Sequence, residues 1–329
     1  MSEEQQQTEK EGSTMRVFVA GATGVVGRQL VPQLIAAGHQ VTATTRNADK
    51  VAGLRAAGAD AAVVDGLDAV AVGEAVARAE PEIVIHQMTG LAGDFDLRHM
   101  DRTFDKTNQL RTTGVDNLLA AARAAGARRV IAQSYCGWSN SRTGGPVKTE
   151  EDPLDPDPPK AMRSTLDAIM YLEQAVVSSP LEGIVLRYGS LYGPGATDLM
   201  VDMLKRRQVP VIGNGAGIWS FLHVQDAASA AVAALERGAA GVYNIVDDEP
   251  APVNQWLPVL AAAVGAKPPI RLPAWLGRLV AGEAAVSMMT KVRGSSNAKA
   301  KRELRWELAW PSWRDGFAHG LHEVAPVTR

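Results

Sequence analysis

Cysteine is almost absent from this 329-residue chain: Cys136 stands alone. A single thiol excludes an internal disulfide framework and any multi-cysteine zinc or iron–sulfur site, and it suits a reducing, cytoplasmic setting. An excess of charge is lacking too, with 34 Lys+Arg against 36 Asp+Glu and a formal net charge of −2. Nucleic acid needs a dense basic face, so this balance argues against it. No apolar run approaches the roughly 18–20 residues that span a bilayer, which argues against a membrane protein. Residues 1–14 (MSEEQQQTEKEGST) lack the basic start and greasy centre of a signal peptide and read as a disordered tail. Aromatics make up only 5%, yet five of the seven Trp lie at or beyond Trp256.

What is present is apolar and rich in Ala and Gly. At 46% hydrophobic the composition is far from that of a disordered chain, and a norm of about 150 residues per domain suggests two units. Short β-branched runs at 16–20, 40–45, 61–64, 82–86, 129–133 and 184–187 read as strands covered on both faces. Helical patterns at 24–37, 68–79, 108–125 and 163–177 alternate with them. Gly38 and Gly126 fall where helix C-caps would sit, and Pro32 predicts a kink in the first helix. This alternation implies an α/β fold with a doubly wound parallel sheet, joined by right-handed crossovers. The beat breaks at 139–160, where five Pro and two Gly in 22 residues make either a surface excursion or an active-site lid.

The clearest motif, Gly21-Ala-Thr23-Gly24-Val25-Val26-Gly27, follows the first strand and opens the first helix. Gly21 allows a tight turn, Gly24 lets the backbone approach a pyrophosphate, and Gly27 permits close helix–strand packing. Phosphates would rest on the free N–H groups of the helix N-terminus. The second strand selects the nucleotide. An NAD site usually has Asp or Glu about 20 residues on, at the adenosine ribose. Here the strand ends Thr44-Thr45-Arg46-Asn47, and Arg46 suits a 2′-phosphate; Asp49 comes late in the loop. NADP(H) is therefore favoured over NAD(H).

In this order the motifs resemble the extended short-chain dehydrogenase/reductases, the NAD-dependent epimerase/dehydratase family. The likeness continues through Asp65-Gly66-Leu-Asp68, Ile85-His86-Gln87-Met88-Thr89, Arg187 with Tyr192-Gly-Pro-Gly195, Ile212–Gly215, Phe221–Asp226 and Tyr243–Ile245. The resemblance implies a Rossmann domain over 15–189 and 222–250, with a smaller α/β substrate-binding domain from 190–221 and 251–329. It implies cofactor contacts from Asp65, Gly66, Gln87, Met88, Thr89, Arg111 and Tyr188 besides the glycine loop and Arg46. A homodimer through a helix face is the family default. Ser134 and Tyr135 fall near the family's catalytic Ser or Thr after the fifth strand, Tyr135 aligning slightly better, whereas its Tyr-x-x-x-Lys on the next helix has no match. Anchored on Glu173, the Tyr position is Thr165 and the Lys position is Ile169; Arg111 stands where the family has Asn, with Asn108 one turn earlier.

Without the Lys, a tyrosine stays near its unperturbed pKa of about 10, a poor base but a good O–H donor. Carbonyl reduction needs such a donor, so reduction by NADPH is expected, with Tyr135, Ser134 and Thr165 as catalytic candidates. Trp138, Tyr192 and Trp219 are candidates for a small, hydrophobic substrate. Two alternatives stay open: a redox-neutral epimerase, isomerase or cyclase, and a catalytically degenerate NADP(H)-binding regulator. No metal-ligand pattern surrounds any His, so no metal is expected.

Overall fold

The computed structural model describes residues 14–91 and 99–322. Nearly all of the expected N-terminal tail, and the middle of the 88–105 loop, lie outside the described residues. Seven strands form one sheet: β1 (Arg16–Ala20), β2 (Gln40–Thr45), β3 (Asp60–Val63), β4 (Ile83–His86), β5 (Arg129–Tyr135), β6 (Glu182–Tyr188) and β7 (Gly241–Ile245). All neighbours are parallel, in the order β7-β6-β5-β4-β1-β2-β3. The order reverses between β1 and β4, and a crevice opens there beyond the strand ends. The apolar strands are buried on both faces because helices cover both. One core joins Val17, Val19, Ile83 and Ile85 to Leu30 and Leu34, and another joins Phe18, Val84 and Val130 to Val72, Leu118 and Leu172.

The covering helices form where the apolar period predicts. They include α1 (Gly27–Ala36), α2 (Ala69–Ala79), α3 (Val115–Ala124) and α4 (Arg163–Val177). Pro32 sits inside α1 on an exposed position. Asp68 caps α2 by accepting from the Val70 and Ala71 N–H groups at 3.0 Å each. Gly38 and Gly126 take φ of +86° and +74° beyond the ends of α1 and α3, the left-handed geometry expected at a C-terminal cap. The expected helix at 108–125 is interrupted: Leu110–Gly114 forms one π turn ahead of α3.

A second core lies beyond the sheet's C-terminal edge. It is built from α5 (Asp198–Lys205), α7 (Val253–Ala263), α8 (Ala274–Thr290) and α9 (Trp313–His319), while α6 (Val224–Ala233) returns the chain to the sheet side. Tyr192, Phe221, Trp256, Trp313 and Phe317 pack there, with ring centroids 5–6 Å apart and mostly edge-to-face or tilted. Asp247, at the exit of β7, accepts the Trp313 N–H at 2.9 Å and ties α9 to the sheet.

The Pro-rich segment 139–160 is stitched to the body. Val147–Lys148 pairs with Gly294–Ser295, and the Asn140 amide donates to Ser295 Oγ at 2.9 Å. Ser139, Asn140, Lys148 and Asp155 are buried. The Glu150 carboxylate accepts the Asn244 N–H of the edge strand β7 at 2.7 Å, and Lys299 donates to the Val242 carbonyl at 2.8 Å. No described helix is long and apolar enough to cross a membrane.

Candidate active site

The glycine loop dictates the first half of the site. Gly21 adopts φ +91°, and a Cβ there would lie 2.5 Å from the Gln87 carbonyl oxygen, so only glycine fits between β1 and β4. A Cβ at Gly27 would meet the Gly21 carbonyl oxygen at 2.5 Å, which explains the close seat of α1. No side chain caps α1 and its first turn holds no acid, so its N–H dipoles face the crevice uncompensated. The groove above it is a cavity of about 410 Å³. Gly21, Thr23, Gly24, Val25 and Val26 line its floor, Gly66, Gln87, Met88 and Thr89 its far wall, and Arg46 its β2 end. Gln87 donates its amide N–H to Tyr188 Oη at 2.9 Å, whereas its buried Oε1 accepts from no described residue.

A second cavity, of about 380 Å³, lies against the Gln133 end of this groove. Thr89, Leu91, Gln133 and Leu191 line both spaces, so the two are continuous. Its walls are apolar: Phe104, Trp138, Trp219, Met203, Met288 and Ile212 among others. The polar exceptions stand mostly at the ends of β5 and β6, with Arg111 on the π turn.

Each sequence-derived catalytic candidate has a definite place. Tyr135 lines the cavity, its hydroxyl 3.5 Å from Ser190 Oγ and its ring tilted against Trp138 at 5.8 Å. Burial pushes its pKa up to about 12, so it stays protonated across the physiological range. Ser134 also borders the cavity, but its hydroxyl donates to Glu173 Oε1 at 2.7 Å. The same carboxylate takes Nε and Nη2 of Arg187 at 2.8 and 2.6 Å, a buried fork on the β5–β6 register. Thr165 is fully buried, receives the Asn108 amide at 3.2 Å, and is not part of the cavity wall. Cys136 is sealed against the Arg187 carbonyl at 3.3 Å, and burial raises its thiol to about 12.

The family description "NAD dependent epimerase/dehydratase family" matches residues 17–246. The chain belongs to the NAD-dependent epimerase/dehydratase family. A 3-diazoavenalumate denitrifying reductase from a Streptomyces species is 47% identical over 312 residues, covering 92% of this chain and 99% of that protein. Among solved structures, UDP-glucose 4-epimerase from Thermotoga maritima, with UDP-glucose, superposes with a TM-score of 0.71 at 23% identity. The match covers 93% of this chain and 97% of that one. A human epimerase family protein with NADPH gives 0.71 at 20% identity, covering 93% and 99%. Membership of this family supports a nicotinamide-dinucleotide cofactor, and the groove's helix start without a side-chain cap and the unmet Gln87 Oε1 suit that group.

Within this family member, several expected residues sit apart from the groove. Asp65 turns to the Leu67 N–H at 3.1 Å and lies 3.8 Å from Lys106, leaving Gly66 on the wall. Arg111 and Tyr188 border the apolar cavity rather than the phosphate groove. Tyr192 is in the second core, 5.1 Å from the His223 ring, and Tyr171 points outward to Asp116; neither lines the cavity. His223 is a structural histidine, held by the Gly320 carbonyl at 2.9 Å. Two cations of the groove were missed, Arg28 and Lys50. Arg28 was visible as a cation in the first turn after the glycine loop. Lys50 was not, because it depends on the turn capped by Asn47 at the exit of β2. No cluster of three His, Cys, Asp or Glu suitable for a metal occurs among the described residues.

Proposed function

We propose that this oxidoreductase is an NADPH-dependent reductase of a small, flat, largely apolar metabolite. The observation that carries it is the continuity of a cation-lined dinucleotide groove with an apolar cavity whose hydroxyl donor cannot serve as a base. Arg46 and Lys50 would hold the 2′-phosphate, Arg28 and the start of α1 the pyrophosphate, and Gln87 Oε1 a donor on the nicotinamide side. The reduced nicotinamide, when bound, supplies a hydride. Tyr135 would donate its proton to the oxygen of a carbonyl or the far end of a polarised double bond and regain it from water. Ser134 and Thr165, both committed elsewhere, would position β5 and α4. Trp138 and Trp219 would flank the substrate and exclude water.

A second reading follows from the Streptomyces relative, named a denitrifying reductase of a diazo compound. In such a reaction hydrogen is added at the ring carbon while dinitrogen leaves with the C–N bond pair. No proton is needed, which suits a site whose Ser134 is bound and whose α4 carries no lysine. Following NADPH absorbance at 340 nm against aryl ketones, aldehydes, enones and aryl diazo compounds tests both. Consumption with any of them is expected; binding without consumption across the whole set would sink the proposal. Tyr135→Phe then separates the acceptors: about a 10²-fold loss or more marks a donor to oxygen, and near-unchanged turnover marks the diazo route.

A further inference from the structure

Arg111 is a charged side chain in the wall of an otherwise apolar cavity, and it is 9% exposed. Its Nη1 is buried and has no hydrogen-bond partner, and no described carboxylate pairs with the guanidinium. Glu173 is the nearest source of opposite charge, but its oxygens already receive Arg187 twice and Ser134 once. Among the described residues Arg187 and Glu173 cancel, which leaves the Arg111 charge without a counter-ion beside Tyr135, Trp138 and Phe104. Burying such a charge without a partner is costly. It is held by the π turn, whose Leu110 carbonyl is taken by His86 Nε2 at 3.1 Å. His86 adds no second positive charge there, since burial keeps it neutral.

We infer that Arg111 is the substrate's anion-recognition residue, and that the reductase proposed above takes a metabolite carrying a carboxylate on a flat, apolar frame. The carboxylate would meet the Arg111 guanidinium where it borders the cavity, with Trp138 and Trp219 along the ring. This rests on the reductase reading for the word substrate, but the contact itself is a matter of binding.

The test therefore measures binding without turnover. Calorimetry on the full chain saturated with NADP+ compares trans-cinnamate with cinnamamide, which has the same frame but no charge. The acid should bind about 10-fold or more tighter, as expected for a charge-assisted hydrogen bond. Arg111→Met should abolish that preference while leaving the dissociation constant of NADPH within about 3-fold. Arg111→Lys, which keeps the charge but not the fork, should retain part of it. Equal binding of acid and amide by the native chain, or binding of neither, overturns the inference. So does an Arg111→Met protein that keeps the acid preference or loses NADPH instead. If neither variant folds, the native acid–amide comparison alone decides. Failure of NADPH oxidation in the panel above would fell the reductase reading and leave this result standing.

Discussion

Arg46 is exposed at the end of β2 and lines the groove with Lys50, where an NAD site of the usual kind would carry an acid. Removing it should therefore penalise one nucleotide. Arg46→Ala is expected to raise the dissociation constant of NADPH by roughly 10-fold or more and that of NADH hardly at all. Equal losses in calorimetric titrations would remove the basis for preferring NADP. Residue identity alone was enough to find this position, because the glycine spacing fixes where the second strand must end. It was not enough for Ser134 or Thr165, whose hydroxyls are committed to Glu173 and Asn108 by contacts 39 and 57 residues apart. Nor could it orient Arg111, because a π turn shifts the helical register by one residue.

At the scale of elements, period and punctuation made most of the sheet legible. The first two strands and α4 lie where the apolar runs place them, while β5 and β6 run further than their apolar cores. Of their extra residues, Ser134 and Tyr135 on β5 stand in register with Arg187 and Tyr188, and Ser134, Tyr135 and Tyr188 border the cavity. Their polarity hid them from a hydrophobic count. The Glu173–Arg187 fork ties β5, β6 and α4 together, with both side chains under one-tenth exposed. Glu173→Ala leaves that guanidinium buried and unpaired, so unfolding in urea should show a loss of about 3–5 kcal/mol. A loss below about 1 kcal/mol would mean that the fork is a passenger.

For the whole molecule, the uneven Trp distribution has a structural meaning that composition could only mark. Trp256 and Trp313 fill the second core, Trp306 packs on the sheet side and donates to Ser229, and Trp275 is exposed. The joint between the two cores is Asp247. Burial, its largest influence, raises the carboxyl to about 8 despite the backbone N–H groups that favour its ionised form. The folded state therefore holds a proton that the unfolded chain releases near pH 4. Through this group stability falls as pH rises from about 4 to about 8. Asp247→Asn should flatten that part of the melting-temperature profile, and an unchanged slope would refute it.

The stitched 139–160 segment also bears on how copies of this chain can meet. β7 closes one end of the sheet, yet its Asn244 N–H is occupied by Glu150 and its Val242 carbonyl by Lys299. An edge dressed in this way offers no ladder for a neighbour's strand, and two side chains of opposite charge guard it against runaway pairing. Glu150 thereby gives the Pro-rich excursion a part in closing that edge to another chain.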